Sequence, residues 1–550
     1  MNNIDIIVII VFTALVFISG VSFARSGKNM KSFFAAGGAL PWWMSGLSLF
    51  MSFFSAGTFV VWGSIAYTSG WVAITIQWTM CIAGVIIGFF IAPRWQKTGA
   101  LTAAEFITNR LGYNVQKVYT YIFLSLSIFS TGAFLYPVAK IVEVSTGIPI
   151  SVSIIFLGVL ILIYTAIGGL WAVIVTDVLQ FVVLTAAVLI VLPLSFDKIG
   201  GIENFITQAP ENFFSLVNSE YTPGFMVAFG LYNLFFIAGH WAYVQRYTSV
   251  ATPRDAKKVG WIFAGLYSFS PLIWMLPPMI YRVLNPDLTG LADEGAYLLM
   301  CKEVLPVGML GLILGGMVFA TSSSVNTILN ISAGVLSNDV YKHFFPQTSP
   351  EKLVRVGRIA TIVLGVLTII IALLVPLMGG IVEVVMSLAA LTGGAMFLPP
   401  LWALFSKRIA GINVLSVTII SLAVNAFFKF LTPALFDLKL SRAAEMGLGV
   451  GIPIVLLMLI ELYKFAQGAE TTEYNKYIEL QKSQPEKDVE PGETNRRGAR
   501  VIGIGVASTG FLILLLSIIA EVGAQIVAGM GILVLILGAF IVYRNSKDDN

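Results

Sequence analysis

Charged residues are scarce in this sequence of 550 residues, in which 33 lysines and arginines and 29 acidic residues make up 11%. Soluble chains carry about 25%, so an ordinary cytosolic enzyme is excluded. Cys81 and Cys301 are the only cysteines, too few for the disulfide framework of a secreted module or for a cysteine metal cluster. His240 and His343 are the only histidines, and no metal site follows from them. The sequence also lacks a nucleotide-binding loop, a nucleophile–base pair and a haem motif. It therefore predicts neither an enzyme nor an ATP-driven pump, and nothing in it indicates nucleic-acid binding.

Apolar residues, in contrast, make up 57% of the chain, and the mean hydropathy is +0.88. A helix needs about 20 residues to cross the hydrocarbon core, and the apolar runs predict about fifteen transmembrane helices. The runs cover residues 4–24, 41–67, 72–93, 117–145, 150–174, 175–195, 223–243, 259–283, 307–335, 357–378, 381–404, 411–431, 444–466, 501–521 and 525–543. Because the first run starts with Asp5 and lacks a basic leading region, we interpret it as an uncleaved span. The predicted class is an all-α integral membrane protein that lies in a lipid bilayer.

The basic residues predict the orientation in the membrane. If the loop that carries Arg25, Lys28 and Lys31 faces the cytoplasm, 26 of the 33 lysines and arginines lie on that side. We therefore expect a multi-pass protein of the cell (inner) membrane, with the amino terminus outside and the carboxyl terminus in the cytoplasm. The polar segment 467–500 is rich in Glu, Lys and Gln, which is typical of a solvated, partly disordered loop. It separates two accessory spans from the rest.

A small polar cluster interrupts the apolar run of residues 40–67. Ser52, Ser55, Gly57 and Thr58 stand in mid-span, where leucine is expected. Small residues allow two membrane helices to pack closely. The alternative is a broken helix whose freed carbonyls, near Met51 and Phe54, point at an ion.

A second polar cluster lies in residues 311–344. Positions i, i+3 and i+4 share a helix face, so Ala320, Ser323, Ser324 and Thr327 form one stripe, with Asn326 beside it. Hard cations prefer oxygen ligands, and such a stripe suits a monovalent ion. The alternative is that these hydroxyls bond back to the carbonyl four residues earlier.

Asp177 is the lone acid between Glu143 and Asp197. An acid inside a membrane span is a functional candidate, and this one is the only residue to which proton coupling can be assigned. Its other interpretation is a carboxylate that caps the start of a helix.

Several motifs in order resemble the sodium:solute symporter family, over about residues 4–470. They are FFAAGGALPWW, LTAAEFITNRLG, GGLWAVIVTDVLQ, YVQRYTSVATPRDAKK and ATSSSVNTILNISAGVLSNDVYK. The resemblance implies two inverted five-helix repeats with broken central helices. The implied organisation is a leading span with the first cytoplasmic loop (1–40), a first repeat (41–200), a second repeat (201–406), additional spans (407–466), the polar cytoplasmic loop (467–500), and two accessory spans with the tail (501–550).

The resemblance also implies binding sites for sodium. The principal site would use three backbone carbonyls and two hydroxyls, those of Met51, Phe54, Ala320, Ser323 and Ser324. Some members of the family bind a second sodium ion, and the matching positions here are Asp177, Ser323, Asn326 and Thr327. Asn326 replaces the usual Ser, so either one or two sodium ions are expected.

Substrate contacts of sugar-transporting relatives map onto Thr58, Gln77, Asn233 and Phe236. Asn233 is the residue type of the family, whereas the other three replace Gln, Glu and Tyr respectively. SFFSAGT and VQRY are closer to the monocarboxylate and iodide branch. Lys140 either neutralises a carboxylate substrate, extends outward to the membrane surface, or pairs with Glu143 one turn further on. No arginine lies in the middle of a predicted span, so a bidentate carboxylate clamp is not expected.

We therefore expect a sodium-coupled symporter, not an enzyme, that imports a small organic solute, with a sugar or polyol favoured. A monocarboxylate or other small-anion symporter is the alternative. A transporter-like sensor or a passive channel is a hypothesis from a different class, although a passive pore has no need of a midplane sodium site. The expected partners are sodium, the solute and the bilayer, and no obligatory protein partner is indicated.

Overall fold

The architecture is all-helical in the computed structural model, which describes residues 2–21, 40–100, 102–164, 170–468, 470–483 and 493–546. Within those residues no strand occurs, and the single β contact is an isolated bridge between Leu40 and Val250. Ten of the described helices are long and apolar enough to cross a membrane, and there are up to eleven if one bent pair counts as a span. The predicted all-α, multi-pass class is confirmed, whereas the number fifteen stays a prediction.

The helices follow the apolar runs of the sequence closely. They are α1 (Asn3–Val21), α2 (Trp42–Met51), α3 (Gly63–Ser69), α4 (Val72–Lys97), α5 (Ala103–Leu111), α6 (Tyr113–Thr146), α7 (Ile150–Tyr164), α8 (Leu170–Ile199), α9 (Pro223–Gly239), α10 (Trp241–Thr248), α11 (Pro253–Leu284), α12 (Met309–Val335), α13 (Pro350–Leu374), α14 (Ile381–Ala403), α15 (Gly411–Phe436), α16 (Arg442–Ala466), α17 (Thr472–Ser483), α18 (Glu493–Ile519) and α19 (Ala524–Ser546). One predicted boundary is wrong. The break expected between residues 174 and 175 falls inside α8, because that helix already begins at Leu170.

Local sequence signals begin several of these helices. Thr222 and Thr252 accept hydrogen bonds from backbone N–H groups in the first turns of α9 and α11, and each is followed by a proline at the first helical position. A hydroxyl at the cap satisfies an otherwise unpaired amide, and proline has no amide to leave unpaired there. Thr–Pro pairs therefore mark these two helix starts.

The first helix packs along α12. The Asp5 carboxylate accepts hydrogen bonds from the N–H groups of Gly308 (2.9 Å) and Gly311 (3.1 Å), at the start of α12. A Cβ atom on Gly311 would lie 2.2 Å from the Asp5 carbonyl oxygen, so only glycine permits this approach.

Two interruptions face each other at the centre of the helix bundle. Helix α2 ends at Met51, and helical structure resumes at residues 56–57, which lead through a π-helical turn at Thr58–Trp62 into α3. Helices α9 and α10 are separated by His240 alone and diverge by 60°. Unwound backbone within a membrane is tolerated where it is buried in protein or lines a cavity. The two breaks therefore mark the place to look for a site.

The last two helices form a close antiparallel pair. Cβ atoms on Gly510 and Gly538 would lie 2.3 Å from the backbone nitrogens of Leu535 and Ala507 respectively, so the two backbones touch where these glycines lie. Close approach through small residues is the usual way membrane helices associate. Helices α18 and α19 thus form one unit, which contacts the rest of the bundle through α8 and α1.

The polar segment 467–500 differs from the expected solvated loop. Its described part contains α17, and residues 493–500 already belong to α18. The Tyr477 side chain is buried and meets the Phe106 ring edge-on, and the Arg110 guanidinium lies over the Tyr474 ring. Burial raises the pKa of Tyr477 to about 12. Helix α17 therefore docks on α5.

Replacing Tyr477 with alanine is expected to release α17 from α5. The change removes the one buried side chain of the described helix, which corresponds to about 2 kcal/mol of packing. Amide hydrogen exchange within residues 472–483 should accelerate about 30-fold. Glu479→Ala, at an exposed position of the same helix, is the control, and equal exchange in both variants would contradict the docking.

Candidate functional site

A central cavity of about 190 Å³ lies beside both helix breaks. Its described lining comes from the 52–62 segment and from α4, α6, α9, α10, α11, α12 and α14. Aromatic side chains make up much of the wall, and the polar groups are hydroxyls, the Asn233 amide and the His240 imidazole. No lysine, arginine, aspartate or glutamate is among the lining residues that the structure describes. The cavity suits an uncharged ligand with an apolar face and a few hydroxyl or amide groups.

The break between α2 and α3 releases two backbone carbonyls. In an unbroken helix the Ser55 N–H would bond to the Met51 carbonyl and the Thr58 N–H to the Phe54 carbonyl. Here the Ser55 N–H donates to Thr58 Oγ1 (3.1 Å), and the Thr58 N–H donates to the Ser55 carbonyl (3.0 Å). The carbonyls of Met51 and Phe54 thereby lose their helical partners. The predicted broken helix is confirmed at these two residues.

Two threonine hydroxyls hold the break in this shape. Thr58 Oγ1 donates to the Phe53 carbonyl while it accepts the Ser55 N–H. Thr321 Oγ1, on α12, accepts the Ala56 N–H (3.1 Å) and donates to the Met317 carbonyl (3.0 Å). Buried amides that lack a helical partner need such acceptors. Thr321 is the residue that ties the break to α12, and the sequence analysis did not select it.

The remaining predicted ligands of the principal sodium site lie on α12. Ser324 Oγ donates to the Ala320 carbonyl at 3.3 Å, which is the back-bonding that the sequence left open as an alternative. Ser324 also lines a second, smaller cavity of about 60 Å³ that adjoins the first. The side chains of Ser323, Asn326 and Thr327 lie outside the described residues.

Asp177, on α8, is buried in a cluster of polar side chains. Its carboxylate accepts a hydrogen bond from Ser48 Oγ (2.6 Å) and lies 3.9 Å from the Arg246 guanidinium. Arg246 in turn donates to Ser48 Oγ and to the Ala242 carbonyl. Because α8 begins at Leu170, the interpretation of Asp177 as a helix-start cap is wrong. Arg246 lies outside the predicted span 223–243, yet it is buried and lines the second cavity.

Three of the four predicted substrate residues line the central cavity. They are Thr58, Asn233 and Phe236. The Asn233 amide nitrogen donates to Thr79 Oγ1 (2.9 Å), which leaves the amide oxygen to offer to a ligand. Gln77 is not among the described lining residues. It is buried, and neither end of its amide has a hydrogen-bond partner in the described part of the chain.

Charged residues near the ends of the spans have partners within the protein. Lys140 Nζ lies 2.9 Å from the Glu143 carboxylate, so the pairing interpretation is confirmed. Glu294 accepts hydrogen bonds from the Tyr136 hydroxyl (2.8 Å) and the Ile381 N–H (2.9 Å), which joins the Gly290–Gly295 turn to α6 and α14. Burial raises the pKa of the Glu294 carboxyl. Neither Lys140 nor Glu294 is among the described lining of the two cavities.

Comparison with known proteins gives consistent results. The sequence model of the sodium:solute symporter family matches residues 33–420. A sodium/glucose cotransporter of Vibrio parahaemolyticus is 28% identical over 470 residues, which cover 78% of this chain and 86% of that protein. A sodium/sialic acid symporter of Proteus mirabilis is 27% identical over 433 residues, which cover 76% of this chain and 87% of that protein.

A solved structure has a similar fold. It is the substrate-bound outward-open state of a Na⁺-coupled sialic acid symporter, which superposes with a TM-score of 0.69 at 24% identity. The match covers 86% of this chain and 99% of the other. At this level of identity the likeness is one of fold.

Proposed function

Since the chain belongs to the sodium:solute symporter family, we propose that it couples inward movement of sodium to the uptake of a sugar or polyol. The observation that carries this proposal is that two freed carbonyls, at Met51 and Phe54, lie next to the central cavity. The described lining of that cavity has no charged residue. The carbonyls favour a small cation. The hydroxyl, amide and aromatic lining favours a neutral, hydroxyl-rich solute, because each buried polar group needs a partner.

The proposed sodium site joins the broken segment to α12. Its ligands are the carbonyls of Met51, Phe54 and Ala320 with the hydroxyls of Ser323 and Ser324. Asp177 already has Ser48 and Arg246 as partners, which favours a single sodium ion over two. A bound ion would be shared by carbonyls of the broken segment and oxygens of α12, so binding would tighten the contact between the two segments.

Replacing Ser324 with alanine is expected to raise the sodium concentration for half-maximal uptake about 10-fold. The change removes one oxygen from a site with few ligands, which corresponds to about 1.4 kcal/mol. Ser322→Ala is the matched control, because Ser322 Oγ donates to the Val318 carbonyl of the same helix. Equal sodium dependence in wild type and Ser324→Ala would contradict the site.

The solute is proposed to be neutral because the one buried arginine near the site is engaged. Arg246 lies beside Asp177, so it is not free to form a bidentate clamp for a carboxylate. Lys140 pairs with Glu143. For an anionic solute, sodium alone would supply the positive counter-charge.

Uptake into proteoliposomes tests the function directly. With inward sodium and an inside-negative potential, we expect uphill accumulation of D-glucose, myo-inositol or another hexose or polyol of a panel that also holds monocarboxylates, amino acids and N-acetylneuraminate. Accumulation should collapse when choline replaces sodium. Accumulation of a carboxylate alone would support the small-anion alternative, and sodium-independent equilibration would support a passive channel.

The membrane arrangement is also a proposal. We infer that the amino terminus is outside and the carboxyl terminus in the cytoplasm of the inner membrane, since most basic residues lie in loops on one side. The proposed repeats are 41–200 and 201–406, and each contains one of the two helix breaks. Single cysteines placed in the 467–500 loop of a Cys81→Ala/Cys301→Ala chain would label from the cytoplasmic side only.

A further inference from the structure

One polar side chain lies where the two cavities meet, and a buried nitrogen atom of its ring has no hydrogen-bond partner in the described part of the chain. His240 is the single residue between α9 and α10, and its backbone is fully engaged. Its N–H donates to the Phe236 carbonyl (2.9 Å), and its carbonyl accepts from the N–H groups of Tyr243 and Val244. The break thus holds the imidazole in a fixed place.

The surroundings of the imidazole are aromatic. Its ring centroid lies 4.7 Å from that of Tyr243, 5.2 Å from that of Phe236 and 5.5 Å from that of Phe397. The Nδ1 atom is buried and has no hydrogen-bond partner among the described residues. A buried polar atom without a partner is destabilising unless a ligand or water supplies one.

His240 lines both the central cavity and the second cavity. Among the other residues that line both, Ser52 and Ser130 already donate to the carbonyls of Ser48 and Leu126. A neutral imidazole has one N–H donor and one nitrogen acceptor, and it can therefore pair with a hydroxyl in either direction. Among the described residues that line both cavities, His240 and Tyr243 have side-chain polar groups that are not hydrogen bonded to the described part of the protein.

We propose that His240 hydrogen bonds to the transported solute as it passes from the central cavity into the cavity lined by Asp177 and Arg246. The inference rests on the proposed function, because it requires a hydroxyl-bearing solute in the central cavity. On the proposed orientation, α10 leads toward the basic cytoplasmic residues 254–258. The solute would therefore meet His240 on its way to the cytoplasm.

Chemical modification tests whether the imidazole faces the cavity, without need of a solute. In a His343→Asn chain, His240 is the sole histidine. We expect diethyl pyrocarbonate, at neutral pH and without sodium, to modify His240 to near completion, as read by mass spectrometry. An unreactive His240 in the folded protein would overturn the inference.

Transport of D-glucose, myo-inositol and the other hexoses and polyols of the panel tests the hydrogen bond. His240→Phe keeps an aromatic ring but no polar atom, and its kcat/KM should fall about 10- to 100-fold for the solute that is carried. His240→Asn keeps a donor and an acceptor and should stay within about 5-fold of wild type. If His240→Phe kept the wild-type kcat/KM, the proposed role of His240 would be overturned, while the proposed function would stand. Failure of the wild type to carry any hexose or polyol of the panel would contradict the proposed function instead, and with it this inference.

Discussion

Replacing Arg246 with methionine is expected to lower the free energy of unfolding by about 3–5 kcal/mol and to abolish most sodium-dependent uptake. The substitution leaves the Asp177 carboxylate buried with Ser48 as its hydrogen-bond partner and without the adjacent positive charge. Removal of one member of a buried ion pair destabilises more than the intact pair stabilises, because the remaining charge has lost its compensation. The midpoint of thermal unfolding in detergent would measure the change.

A double substitution separates the charge from the packing. In Asp177→Asn/Arg246→Met no charge is left uncompensated, and at least half of the lost stability should return. The single change Asp177→Asn leaves the Arg246 guanidinium buried without its counter-charge and should therefore be more destabilising than the double change. Additive losses in the three variants would mean that the two residues do not act as a pair.

Replacing Thr58 with valine is expected to lower the free energy of unfolding by about 2–6 kcal/mol and to raise the half-saturating sodium concentration at least about 10-fold. The hydroxyl of Thr58 accepts the Ser55 N–H and donates to the Phe53 carbonyl. Valine keeps the shape and leaves both backbone groups without this partner, and each unpaired buried group costs about 1–3 kcal/mol. Thermal unfolding and sodium titration of uptake would measure the two effects.

Two variants control for the size and place of this change. Thr58→Ser keeps the hydroxyl and should behave as wild type within about 1 kcal/mol. Ser52→Ala removes a hydroxyl from the same segment that donates only to the Ser48 carbonyl, four residues earlier. A loss in Ser52→Ala equal to that in Thr58→Val would show that the break does not depend on Thr58.

Much of the helical framework is predictable from the sequence because lipid leaves few choices for backbone hydrogen bonds. The helix break after Met51 was one of two alternatives that the sequence left open, since Ser52, Ser55 and Gly57 also suit the close packing of two unbroken helices. The resemblance to the symporter family, drawn from the motifs, is confirmed by the match over residues 33–420. Helix α17 was missed because its apolar stripe consists of only Tyr474, Tyr477 and Ile478 in a highly charged segment.

The details of the site were less predictable because they depend on contacts between distant segments. Arg246 lies 69 positions after Asp177 in the chain, and the predicted span ended at residue 243, so its burial gave no local signal. Gln77 matches a substrate contact of sugar-transporting relatives by resemblance, yet it is not among the described lining residues of the cavity. Helical periodicity shows which residues share a face, but it does not show which neighbour that face meets.

The uncharged central cavity has an electrical consequence. If the solute is neutral and Asp177 and Arg246 cancel each other's charge, all net charge that crosses the membrane in one cycle is carried by sodium. The ratio of current to solute flux then equals the number of sodium ions per cycle. A potential of 100 mV contributes about 2.3 kcal/mol for each ion, which alone corresponds to about 50-fold accumulation of solute per sodium.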